Sequence, residues 1–136
     1  MKKGIAVILA LLFFVPSASA AQPGRLNAAE EVLIARFCAE EAPGEALLIH
    51  MGIAAVMLNR MADERYPNTA SGAAAAAGFA GAKVKEEDYR SALWAVRCVS
   101  LGMDPTDGAV KWARKGSLEE REMDVTLEAD GWCFGR

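Results

Sequence analysis

Glu41-Ala42-Pro43-Gly44-Glu45, then Ala54-Ala55-Val56-Met57-Leu58-Asn59-Arg60, then Pro67-Asn68-Thr69-Ala70-Ser71-Gly72 are the three pieces, all between Ala39 and Gly72, on which the reading of this chain turns. They predict a helix, a sharp break, a second helix and a loop. Asn27 opens the first helix, with Glu30 three residues on completing a capping-box-like pair. Leu33, Ile34, Phe37 and Cys38 recur at helical spacing, about 100° per residue, and Glu41 falls near the centre of the apolar face they define. Glu40 falls at its edge, four residues after Arg36, where an i,i+4 ion pair is available. A carboxylate on an apolar face loses solvation, which disfavours its charged form and raises its pKa. A general acid working near neutral pH needs that shift. Pro43-Gly44 ends the helix, because proline disfavours helical backbone in the residue before it.

The second helix is expected from Glu45 to about Glu64. Leu47, Leu48, Met51, Ala54, Ala55, Leu58 and Met61 give it a wide apolar surface, and Gly52, Ala54 and Ala55 let another backbone approach closely. Tyr66-Pro67-Asn68-Thr69 reads as a loop and Ala73 to Ala77 as a short helix or packed turn. A third helix starts at Glu86-Glu87-Asp88, acids suited to a positive helix N-terminus. It carries Leu93, Trp94, Val96 and Cys98 inward and stops at Gly102. Asp104-Pro105-Thr106-Asp107-Gly108 reads as a turn. Val110-Lys111-Trp112, Val125-Thr126-Leu127 and Trp132-Cys133-Phe134 read as strands.

The three opening pieces resemble, in order and spacing, the cell wall hydrolase family typified by spore cortex-lytic enzymes. The resemblance implies a mainly α (α+β), lysozyme-like single domain with a small β element near the C-terminus. It also implies cleavage of peptidoglycan glycan strands, as a lytic transglycosylase with one Glu as general acid and no cofactor. Glu41 matches the position of that acid. In such an enzyme the sugar's own 6-hydroxyl attacks the anomeric carbon, so a second catalytic carboxylate is not required. Glu45 lies just past the Pro-Gly break and either orients substrate or favours the second helix's N-terminus. His50 stands where relatives typically carry Gln. Asn59 and Arg60 match residues whose role is to hydrogen-bond neighbouring loops, and Thr69 matches a loop that borders the cleft. Phe79, Trp112 and Trp132 offer flat faces for sugar rings. The substrate-binding set expected beside Glu41 is therefore Glu45, His50, Thr69, Phe79, Trp112 and Trp132. Two departures stand out: relatives carry a Tyr-rich segment where this chain has Lys111-Trp112-Ala113, and a His-x-Phe close where it has Trp132-Cys133-Phe134. These departures keep two alternatives open: a non-catalytic peptidoglycan-binding or inhibitory protein on the same fold, and a glycosidase that uses water. Hydrolysis generally calls for a second carboxylate, for which Glu45 is the nearby candidate.

The chain's beginning reads as a signal peptide over residues 1–20. Lys2 and Lys3 form a positive region, Ile5 to Val15 an apolar run, and Ala18-Ser19-Ala20 a small-residue cleavage site. The apolar run is shorter than the roughly 20 residues that span a bilayer as a helix. Residues 21–136 then form the catalytic domain, exported to the periplasm or outside the cell, with no membrane span, and read as a monomer. Without Lys2 and Lys3 that part holds 13 basic and 18 acidic residues, a net charge of −5. That balance argues against nucleic acid as a partner.

Cys38, Cys98 and Cys133 would meet an oxidising compartment. One disulfide and one free thiol are expected, and the sequence leaves all three pairings open. The spacing contains no CxxC and the chain holds one His, so no metal site is expected.

Overall fold

The capping box forms as read: Asn27 Oδ1 accepts from the Glu30 N–H at 2.9 Å, and Glu30 Oε1 accepts from the Asn27 N–H at 3.0 Å. It starts helix α1, Ala28–Glu41. The computed structural model describes residues 26–136. The signal peptide read over residues 1–20 lies outside the described residues.

Ile34, Ala35, Phe37, Cys38 and Ala39 make the buried face of α1. The helix stops at Ala42, and Gly44 follows at φ +73°, a left-handed conformation that glycine adopts without Cβ strain. The Gly44 N–H donates to Asp88 Oδ1 at 3.0 Å, so the break is tied to the segment Glu86–Ser100.

Helix α2, Leu47–Met61, is the central element, with Ile49 through Leu58 apart from Met51 all buried. Leu47 and Leu48, expected on its apolar surface, are exposed on the first turn of the helix. Gly52 is required by contact: a Cβ there would come within 2.5 Å of the Phe134 ring. The alanine run forms helix α3, Ala70–Ala76, with Ala70, Ala73 and Ala74 on its buried face. These are i, i+3 and i+4 positions, and their small side chains bring α3 close against α1 and α2.

Helix α4, Glu86–Ser100, packs on both α1 and α2. Its buried stripe is Ala92, Ala95, Val96 and Val99. Trp94, expected inward, is 60% exposed. Two residues past Ala92 is about 200° around a helix, so the alanine stripe turns the tryptophan outward.

The Asp104–Gly108 turn is built on one carboxylate. Asp104 accepts from the Thr106 N–H (2.7 Å), Thr106 Oγ1 (2.6 Å), the Gly108 N–H (2.9 Å) and Asn59 Nδ2 (3.0 Å). Asn59 also donates to the Ala109 carbonyl at 2.9 Å, and Arg60 Nε donates to the Val110 carbonyl at 2.8 Å. The pair at the end of α2 thus fastens the turn and launches strand β1, Lys111–Arg114. Helix α5, Leu118–Arg121, follows, then β2, Val125–Ala129, and β3, Trp132–Gly135. The antiparallel sheet has the order β1-β3-β2. Asp130 (φ +49°) and Gly131 (φ +80°) make the two-residue turn between β2 and β3, the Asp-Gly pattern suited to positive φ at both positions. Trp132 and Phe134 of β3 face the core, with Trp112 opposite Phe134 and Arg114 opposite Trp132. The expected mainly helical fold with a C-terminal β element is the one found.

The expected disulfide is not formed: Cys38, Cys98 and Cys133 are all free thiols. Cys38 sits in the buried face of α1, Cys98 on α4, and Cys133 on β3 beside Glu120 and Glu128. Burial, then the nearby Glu41 carboxylate, pushes the Cys38 thiol up and keeps it protonated. Burial and the Glu120 carboxylate do the same for Cys133.

Candidate active site

The two adjacent glutamates at the end of α1 face different hollows. Glu41 opens into a cleft of about 380 Å³ whose walls also include Trp112, Arg114, Ser117, Glu119 and Trp132. Glu40 borders another hollow of about 370 Å³, lined also by Pro43, Gly44, Lys83, Lys85 and Asp88. The ion pair expected between Glu40 and Arg36 is not made. Glu40 instead accepts from the Ala80 N–H (2.9 Å) and the Ala82 N–H (2.6 Å), and Arg36 lies over the Tyr89 ring at 5.9 Å. Backbone N–H groups that lack a helix or sheet partner are strong competitors for a carboxylate.

Glu41 departs from expectation in one respect. As the last residue of α1 it is exposed rather than sunk among Ile34, Phe37 and Cys38, which are buried a turn earlier. Substrate, not protein, would have to remove its water. What the protein supplies is orientation: Trp112 Nε1 donates to Glu41 Oε1 at 3.1 Å. An indole N–H donates and cannot accept, so Glu41 is the acceptor and its Oε1 is held. Trp112 is itself fixed on two sides. Its ring meets the edge of Phe37 at 5.9 Å, and the Arg60 guanidinium lies 4.7 Å from its centroid.

Strand alternation places Arg114 on the same face as Trp112. Its guanidinium lies 3.9 Å from the Trp132 ring centroid, and its Nη1 is 3.5 Å from Glu45 Oε1. Glu45 is therefore turned toward the cleft wall and neutralised by a cation. Trp132 is buried, and its Nε1 has no acceptor among the described residues.

The structure thus brings Glu41, Trp112 and Trp132 together and connects Glu45 through Arg114. Phe79 stands one ring away, packed edge-on against Phe37 at 6.2 Å in a row that continues to Trp112. Thr69 lies outside the cleft walls; its hydroxyl caps α3 by accepting from the Gly72 N–H at 3.0 Å. His50, expected among the substrate contacts, is fully buried. Its Nε2 is 2.8 Å from the Ala42 carbonyl and its Nδ1 2.8 Å from Ser91 Oγ. It fastens the end of α1 to α2 and α4, and both ring nitrogens are occupied. Arg114 was missed in the sequence, although the two-residue period from Trp112 would have found it.

Two solved structures share this fold. The catalytic domain of the germination-specific lytic transglycosylase SleB from Bacillus anthracis matches with a TM-score of 0.64 at 23% identity, over 84% of this chain and 99% of that one. The catalytic domain of the Bacillus cereus SleB protein matches with a TM-score of 0.64 at 24% identity, over 88% of this chain and 99% of that one. No family model and no curated protein matches the sequence.

Proposed function

We propose that the protein cleaves peptidoglycan glycan strands as a lytic transglycosylase with Glu41 as its single acid. The observation that carries this reading is the pairing of roles at the cleft: Glu41 is solvent-facing and oriented by Trp112, while Glu45 is held by Arg114. Neutral Glu41 would give the proton on Oε2 to the glycosidic oxygen as the C1–O bond breaks and an oxocarbenium-like state develops. The 6-hydroxyl of the same sugar then closes on C1. Its proton passes to the Glu41 carboxylate, which is thereby restored to the acid form. One bond to C1 breaks, one forms, and no water is consumed. The matching folds of the two SleB catalytic domains, one of them that of a germination-specific lytic transglycosylase, support the substrate class.

Hydrolysis would need a second carboxylate to activate water or to act as nucleophile, and Glu45's ion pair with Arg114 disfavours it for that task. Mass analysis of fragments released from purified peptidoglycan tests the proposal. Anhydro ends are expected; reducing ends would replace transglycosylation by hydrolysis, and no release would favour a non-catalytic binder. Such a substrate lies outside the cytoplasm, in keeping with the export signal read over residues 1–20. No helix among the described residues is long and apolar enough to cross a membrane.

A further inference from the structure

The cleft that Glu41 lines also carries Arg114 and Trp132. Arg114 is 59% exposed at its side chain, and stacking on Trp132 holds its plane in place. A guanidinium presents five N–H donors around its edge and no acceptor. Its one ion-pair partner among the described residues, Glu45, stands at 3.5 Å, longer than a usual hydrogen bond, and Glu119 lines the same cleft. Beneath Arg114 the Trp132 N–H is buried with no acceptor. A planar, stacked guanidinium with a free edge is suited to a carboxylate, which accepts two parallel hydrogen bonds from it.

We infer that Arg114 is a carboxylate-recognising residue of this cleft, so that the preferred ligand is a glycan strand bearing a carboxylate beside the bond to be cut. The inference rests on the peptidoglycan reading and narrows it. Glu45 stands beside Arg114 Nη1, and an incoming carboxylate takes the guanidinium donors that Glu45 leaves open. Two carboxylates on such a strand have this chemistry: the lactyl group of a muramic acid without its peptide, and the carboxyls of an attached stem peptide.

Four substrates separate these sources: peptide-bearing strands, the same strands with carboxyls capped as methylamides, peptide-stripped strands, and stripped strands capped likewise. The N-acetyl groups are untouched throughout. The protein is expected to prefer the uncapped member of at least one pair by roughly tenfold or more in kcat/KM, mainly through KM. The pair that shows the difference identifies the carboxylate. Arg114→Gln should erase the preference at unchanged Tm, and Arg114→Lys should retain part of it. Glu45→Gln, which removes a negative charge beside the guanidinium, should tighten binding of uncapped strands. Indifference of the parent protein to capping in both pairs overturns the inference. So does an Arg114→Gln protein that loses equally on capped and uncapped strands. If no strand is cleaved, the transglycosylase reading fails by itself, and equilibrium binding to the same four strands decides the carboxylate preference.

Discussion

At the scale of single residues, Glu41 and Glu40 show how one step along a helix changes a carboxylate's work. Glu41 ends in a cleft with one oxygen held by Trp112, whereas Glu40 ties down the backbone of Ala80 and Ala82. Glu41→Gln keeps the volume but cannot deliver a proton, and is expected to lose on the order of 10²–10⁴-fold in cleavage rate. Trp112→Phe keeps the ring against Phe37 and removes the N–H; roughly tenfold in kcat should go, with KM little changed. Glu40→Gln offers one amide oxygen where two carboxylate oxygens now accept, so it should cost about 1–2 kcal/mol of stability and little of the rate. Rates on peptidoglycan and urea unfolding of the three variants check this, and an active Glu41→Gln protein defeats the proposed chemistry. Glu41's place in a short motif was legible in the sequence. Its exposure was not, because helical phase says which way a side chain points and not whether anything covers it.

At the scale of elements, the Asp104–Gly108 turn joins the helical part to the sheet and so sets where β1 places Trp112 and Arg114. Burial resists ionisation of Asp104, but hydrogen bonds from Thr106, Asn59 and Gly108 outweigh it and hold the carboxyl below its ordinary range. A carboxyl whose folded pKa is depressed stabilises the fold fully above its unfolded pKa, near 4. That contribution is lost as pH falls through the lower folded value. Asp104→Asn should therefore cost about 2 kcal/mol at pH 7, and its stability should decline less than the parent's between about pH 5 and pH 2. Urea unfolding across that range measures both; parallel curves for the two proteins would contradict this account. Reading the turn from its Asp-Pro-Thr-Asp-Gly composition was possible because three of the four hydrogen bonds to Asp104 come from within the turn. The outward turn of Trp94 could not be read so, because α4 has two candidate stripes and the fit against α1 and α2 chooses the alanine one.

At the scale of the whole molecule, the three cysteines lie on α1, α4 and β3 and remain free. Thiol titration of the denatured, unreduced protein should find three thiols per chain, and one thiol would mean that a bridge forms after all. Counting cysteines and inferring an oxidising compartment suggested a bridge, but bridging needs Cα atoms within about 7 Å and suitably aimed Cβ vectors, which a count does not contain. By itself the sequence determined the helical order, the capping box, the Pro-Gly break, the Asp104 turn, the strands and the motif glutamate. The cap, the break and most of the turn rest on contacts between residues near one another in the chain, and the strands were legible from local residue preference. The tertiary structure alone decided that Trp112 orients Glu41, that Arg114 faces Glu45 over Trp132, and that His50 is a buried fastener. Each of those depends on contacts between elements some forty to seventy residues apart in sequence, where packing of the whole core, and not local propensity, sets the distance.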